Sequence, residues 1–106
     1  MEANEIDREL LKRAVEFAEW VRVADIDVEN RPDGLMLVER TKAVKVFLQH
    51  YAEYVELESL RRVCPDQQTK ADIEKVLEMV KGDLNRAADR LLQLEAQGGP
   101  LTTTVN

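Results

Sequence analysis

The stretch LMLVERTKAVKVFLQHYAEYVELESLRRVC, residues 35–64, decides the fold class because it contains neither glycine nor proline. An apolar stripe with intervals of four and three residues runs along it, which is the spacing of one face of a helix. This stripe, called the seam below, consists of Leu37, Thr41, Val44, Leu48, Tyr51 and Val55. The pattern predicts a long core helix that ends at or before Cys64, since a residue before proline disfavours helical geometry.

Whether this helix runs straight or kinks near Val55 stays open, so ELESLRRV (56–63) either continues it or begins another. An earlier helix of about 18 residues is predicted after Asn4, a suitable N-cap. After Pro65, Thr69 is expected to cap one helix, which ends at a terminating glycine, Gly82. Asp83 is expected to cap another helix, which ends near residue 97.

The predicted fold is therefore an all-α bundle of four or five helices in a single domain, residues 1–106. We expect a helical hairpin over 4–55, a three-helix module over 56–97, and a flexible tail over 98–106.

Composition excludes several classes of function. The chain has 106 residues, a net charge of −6 and 5% aromatic residues, which disfavours nucleic-acid binding because phosphate contacts need a basic face. No apolar run reaches the roughly 18 residues of a membrane span. A single cysteine cannot form an internal disulfide, so a reducing compartment, cytoplasm or nucleus, is expected.

Neither catalysis nor metal binding is predicted. His50 and Cys64 are fourteen residues apart, which is about 20 Å along a helix and too far for a nucleophile and its base. One histidine and one cysteine cannot build a zinc site. The acidic segment after Asp25 lacks the glycine and glutamate of a calcium loop, having Asn30 and Met36 in those places. We expect no enzyme activity, no catalytic residue and no cofactor.

A family resemblance covers residues 60–95. Its marks are Leu60, the turn Val63-Cys64-Pro65, the segment Ile73 to Leu77, the connection Gly82-Asp83-Leu84 and the segment Ala87 to Leu92. In these features the chain resembles the CUE branch of the ubiquitin-associated (UBA-like) domains. The resemblance implies a three-helix module that binds ubiquitin or a ubiquitin-like protein. Its implied contact residues are Val63, Cys64, Pro65, Asp89, Leu91 and Leu92.

A second resemblance begins at Lys42. The segments Phe47 to Val55 and 56–64, the two helices after Pro65 and the ending LLQLEAQGGP (91–100) are similar to helices of a caspase-recruitment (CARD) domain of the death fold. This resemblance implies a signalling adaptor that assembles with its own kind through charged patches. The implied patches are Arg61 and Arg62 against Glu74 and Glu78.

A third hypothesis is a structural subunit whose seam pairs with another helix, through Leu37, Val44, Leu48 and Tyr51. In all three hypotheses the partner is another protein, with self-association among the possibilities and neither nucleic acid nor membrane involved. The sequence leaves open which partner is bound, and whether the chain is part of a larger protein.

Overall fold

Three helices make up the computed structural model, which describes residues 8–24 and 34–99. They are α1 (Arg8–Ala24), α2 (Gly34–Val63) and α3 (Gln67–Gly98). The predicted all-α bundle is confirmed, and the predicted number of four or five helices is wrong. Asn4, the segment 25–33 with most of the acidic loop, and residues 100–106 of the expected tail lie outside the described residues.

Helix α2 is a single element of 30 residues with no interruption near Val55. It ends at Val63, one residue before Cys64, as the proline at position 65 predicts. Residues 56–63 therefore continue the helix, and the division expected between residues 55 and 56 falls inside it.

Helix α3 contains the largest departure from the sequence prediction. Gly82 does not end a helix, because it lies inside α3, which is 32 residues long. Asp83 pairs with Arg86 instead of capping a new helix. A glycine inside a helix costs about 1 kcal/mol relative to alanine. Burial of Val80 and Leu84 on either side of Gly82 offsets this cost. The three-helix module predicted over 56–97 is thus wrong, and the separate death-fold helices are likewise segments of α2 and α3.

The start of α3 is capped by Asp66 and not by Thr69. The Asp66 carboxylate accepts a hydrogen bond from the Thr69 backbone N–H at 2.9 Å and another from its hydroxyl at 2.5 Å. These bonds, the hydroxyl first, lower the pKa of Asp66. Only the short turn 64–66 separates the helices, so α2 and α3 form a tight antiparallel hairpin.

Both hairpin helices bury stripes at intervals of three and four residues, as in an antiparallel coiled coil. The α2 stripe comprises Leu37, Arg40, Val44 and Phe47, and the α3 stripe comprises Leu77, Val80, Leu84, Ala87, Leu91 and Leu94. Helix α1 adds Leu10, Ala14 and Phe17 to the core. The buried stripe of α2 is therefore rotated by about one residue relative to the predicted seam. Thr41 and Leu48 of the seam are only half-buried, and Val55 is exposed.

Arg40 is a buried cation in this stripe, 5% exposed. Its guanidinium donates hydrogen bonds to the carbonyl oxygens of Leu94 at 3.4 Å and Gly99 at 2.8 Å. Carbonyls at a helix C-terminus lack partners within the helix and carry partial negative charge, so a cation there is stabilising. Arg40 thus ties the beginning of α2 to the end of α3.

Helix α1 covers only part of the hairpin. Its 17 residues span about 25 Å, against about 45 Å for the 30 residues of α2. It contacts the end where α2 begins and α3 finishes: the Arg13 guanidinium makes a two-pronged ion pair with Glu95 at 2.8 and 2.9 Å. We call this end the base of the hairpin and the end with the 64–66 turn the tip.

Candidate interaction surface

The tip half of the hairpin is a two-helix arm that no third described helix covers. Among the described residues, no side chain of α2 after Phe47 and none of α3 before Leu77 is buried. The stripe itself becomes polar there: Glu58 and Arg61 occupy its positions on α2 and pair with each other at 2.9 Å. Burial therefore falls from the base, where three helices meet, toward the tip, where two do.

The hairpin has two long sides, one of which faces α1. On that side lie the positions that follow each stripe residue, such as Thr41 on α2 and Glu95 on α3, the latter held by Arg13. On the opposite side, here called the open side, lie the positions that directly precede each stripe position. On α2 these are Met36, Glu39, Ala43, Val46, His50, Glu53, Leu57 and Leu60, and on α3 they are Val76, Met79, Asp83, Arg86, Arg90 and Gln93.

Past Glu53 on α2, the open side is apolar toward the tip. Leu60 is 47% exposed, Val76 44% and Met79 70%, while Leu57 is half-buried between them. We call these four residues the tip patch. An isolated exposed hydrophobic side chain is ordinary, but several large ones on one side of a helix pair are typical of a surface that another molecule covers.

The α1-facing side of the tip differs from the tip patch in chemistry. Its charged residues are Glu58, Arg61, Glu74, Lys75, Glu78 and Lys81. The hydrogen bond and the charge of Glu58 raise the pKa of Arg61, with Glu74 adding a smaller effect of the same sign. Lys81 pairs with Glu78 at 3.4 Å. These charges largely satisfy one another, so this side is a balanced polar surface.

Toward the base, the open side also becomes polar. A shallow groove there is lined by Glu39, Lys42, His50, Asp83, Arg86 and Arg90, with alanine and Val46 between them. Glu39 and Arg90 approach across the two helices to 3.7 Å, and Arg86 pairs with Asp83. The open side therefore combines an apolar tip with a charged base.

The residues implied by the CUE resemblance do not form one surface. Val63 and Pro65 are exposed at the tip, and Cys64 is half-buried with its thiol donating to the Asp66 carbonyl at 3.6 Å. Leu91 belongs to the core at 0% exposure. It follows the start of α3 by 24 residues, which is about 36 Å along the helix. Asp89 and Leu92 are exposed but lie near the base, so the two groups occupy opposite ends.

The residues of the other two hypotheses are placed as follows. Arg61 lies beside Glu58 and Glu74 in the polar groove that also contains Glu78, and Arg62 is exposed on the same turn. The proposed opposite charges are therefore neighbours within one molecule. The seam residues are inside the bundle: Leu37 and Val44 are buried, and Leu48 and Tyr51 are partly buried against the core.

The tip patch is the feature that sequence reasoning missed. In the sequence prediction, Val76 lies in the helical segment Ile73 to Leu77 and Leu60 marks the beginning of the CUE resemblance, so neither is predicted as a contact residue. A signal was available in α2: at Glu58 and Arg61 the stripe turns polar, while the apolar residues Leu57 and Leu60 move to the neighbouring positions. Such a shift of the apolar residues indicates that a different side of the helix is covered near the tip.

In the described residues, no group of three or more His, Cys, Asp and Glu side chains is arranged to hold a metal ion. His50 Nδ1 lies 3.8 Å from the carboxylate of Glu53. Within the same residues, none of the helices contains an apolar stretch long enough to cross a membrane. Comparisons with known protein families, with curated proteins and with solved structures found no match.

Proposed function

We propose that this protein is a non-enzymatic interaction module that recognises another protein through the tip patch. The observation that carries the proposal is the group of large apolar side chains, Leu57, Leu60, Val76 and Met79, on the uncovered side of a two-helix arm. Covering a half-exposed side chain of this kind contributes about 1 kcal/mol, half of its full burial. Methionine adds adaptability to such a surface, because its unbranched side chain fits differently shaped partners.

A matched pair of variants tests this proposal. Val76 and Val55 are the same residue type with nearly equal exposure, 44% and 45%, but only Val76 lies in the tip patch. Immobilised wild-type chain and the variants Val76→Asp, Met79→Asp and Val55→Asp are used to capture proteins, and retained proteins are identified by mass spectrometry, this chain included.

We expect at least one protein that wild type and Val55→Asp retain and that both patch variants lose. Circular dichroism of each variant separates loss of binding from loss of folding. If folded patch variants retain the same proteins as wild type, the tip patch is not the binding surface.

Ubiquitin is the defined partner to test first. The CUE resemblance implies it, and the exposure of Val63 and Pro65 at the same end as the tip patch supports a contact there. Titration of isotope-labelled protein with ubiquitin should shift the amide signals of Val63 and Val76 and leave those near Leu92 unchanged. Absence of shifts at about 1 mM ubiquitin, a concentration that detects binding energies of only about 4 kcal/mol, excludes this partner.

A further inference from the structure

We propose that Lys81, Gly82 and Asp83 form a hinge in α3, at which the arm opens while the base of the hairpin stays folded. The arm here means residues 55–81. In the less populated open form the segment before Gly82 is detached from α2, and the remaining helix begins after Asp83. Three features point to this second form: the place where the core ends, a glycine that the closed form does not require, and an aspartate that caps nothing in the closed form.

The contiguous hydrophobic core lies on the base side of Gly82. On α3 the buried residues of this core begin at Leu84, and on α2 they end at Phe47. The arm has two buried apolar side chains, Leu77 and Val80, and neither belongs to that core. Opening of the arm therefore exposes two buried side chains and leaves the core of the base intact, which is the condition for opening without global unfolding.

The closed form gives no reason for a glycine at position 82. The residue is helical, and an added Cβ would meet only the guanidinium of Arg86, at the ordinary contact distance of 3.6 Å. Among the described glycines only Gly99 has a positive φ. Glycine is disfavoured inside a helix but is the preferred residue directly after a helix end. It therefore suits an open form in which α3 is interrupted at this position.

Asp83 is likewise better suited to the open form. In the closed form its carboxylate pairs with Arg86 in an exposed ion pair, a kind that contributes little to stability. Aspartate is a poor residue inside a helix and among the best at an N-cap. When the arm opens, the backbone N–H of Arg86 loses its helical acceptor, the carbonyl of Gly82. The Asp83 carboxylate can then accept that hydrogen bond and cap the remaining helix.

The hinge acts on the tip patch because the patch spans both helices of the arm. Leu57 and Leu60 lie on α2, whereas Val76 and Met79 lie on α3. Opening separates the two pairs, so the patch exists only in the closed form, and a partner that binds it favours that form. This consequence rests on the proposed function, whereas the hinge itself does not.

Native-state amide hydrogen exchange of the full chain, followed by NMR, tests the hinge. We expect a step in protection along α3, with the amides of Leu77 and Val80 about tenfold or more less protected than that of Leu91. The step should fall just before Ala87, since its amide is the first whose acceptor, the carbonyl of Asp83, belongs to the remaining helix.

A matched pair of variants at position 83 tests the cap. Asp83→Ala and Asp83→Asn both remove the ion pair with Arg86, but only asparagine keeps a side-chain oxygen for the cap. Relative to Leu91, the protection of Leu77 and Val80 should rise about fivefold in Asp83→Ala, which corresponds to the about 1 kcal/mol of a lost N-cap in the open form. In Asp83→Asn it should stay within about twofold of wild type.

Comparison with Leu91 in the same variant removes the effect of the higher helix propensity of alanine. That propensity stabilises the closed helix equally against the open and the unfolded form, so it raises the protection of the arm and of the base alike. A rise confined to the arm therefore reports the cap.

Equal protection from Leu77 to Leu91 overturns the proposal, because the arm then opens only when the whole chain unfolds. A gradual decline toward the tip also overturns it, since that is fraying without a hinge. A step that Asp83→Ala leaves unchanged contradicts the cap and with it the hinge at this position. If the step and the response to Asp83→Ala are both found but no protein is captured through the tip patch, the hinge stands and the proposed function is wrong.

Discussion

Replacing Gly82 by alanine tests whether α3 is one continuous helix. In the structure, position 82 is helical, and an added Cβ meets only the end of the Arg86 side chain at 3.6 Å, an ordinary contact. Alanine is favoured over glycine inside a helix by about 1 kcal/mol. We therefore expect Gly82→Ala to raise the free energy of unfolding by about 1 kcal/mol.

If Gly82 instead ended a helix in a left-handed conformation, alanine would cost about 1–2 kcal/mol. A continuous α3 and a helix that ends at Gly82 thus predict changes of opposite sign in the free energy of unfolding. Urea unfolding followed by far-UV circular dichroism measures the difference, because a shift of midpoint at constant slope reports stability. In thermal unfolding, the expected gain corresponds to an increase in Tm of about 4–8 °C.

Gly99→Ala is the control. Gly99 has φ 88° and ψ 170°, a region that essentially only glycine occupies, so alanine there should cost about 1–3 kcal/mol. Stabilisation at position 82 with destabilisation at position 99 agrees with the continuous helix. Destabilisation at both positions refutes it and returns the chain to separate helices before and after Gly82.

Three further predictions concern the base of the hairpin and the cap of α3. Phe47→Ala removes a fully buried ring and should lower the free energy of unfolding by about 3–5 kcal/mol in urea titrations. Arg40→Met removes the charged donor to Gly99 and should cost about 2 kcal/mol, with faster amide hydrogen exchange at the end of α3. Asp66→Ala should destabilise at neutral pH and Asp66→Asn less so. The hydrogen bonds from Thr69 lower the pKa of Asp66 in the folded state. The stabilisation by the Asp66 cap is therefore complete above the pKa of the unfolded state and is lost as the pH falls through the pKa of the folded state. The urea midpoints of wild type and Asp66→Ala should converge in acid.

The extent of α2 could be predicted from local rules. A run without glycine or proline, followed by Pro65, predicts a helix that ends before Cys64, and Val63 is its last residue. The continuity of α3 through Gly82 could not be predicted in the same way. Its sequence context, with Lys81 before it and Asp83 after it, has the marks of a helix end. The tertiary partner on α2 decides otherwise, and the burial of Val80 and Leu84 across from that partner is not visible in the local sequence.

The candidate surface was even less accessible to sequence reasoning. Val55 belongs to the predicted seam and Val76 to the segment Ile73 to Leu77, yet both are nearly half-exposed. Val55 is exposed because α1 covers only the base, and Val76 because it lies on the side of the hairpin away from α1. Which apolar positions lack a neighbour therefore depends on the side against which the third helix packs and on its length, and α1 is about half as long as α2. The polar residues Glu58 and Arg61 at stripe positions are the sequence feature that marks the end of the three-helix core.

Chemical-shift mapping of the isotope-labelled chain against ubiquitin, and against any protein retained in the capture experiment, tests most directly whether the tip patch is the binding surface. We predict shifts at Leu57, Leu60, Val76 and Met79, with the Val55 amide and helix α1 unchanged. A bound protein that shifts none of these four residues, or shifts that centre on α1, would contradict recognition through the tip patch.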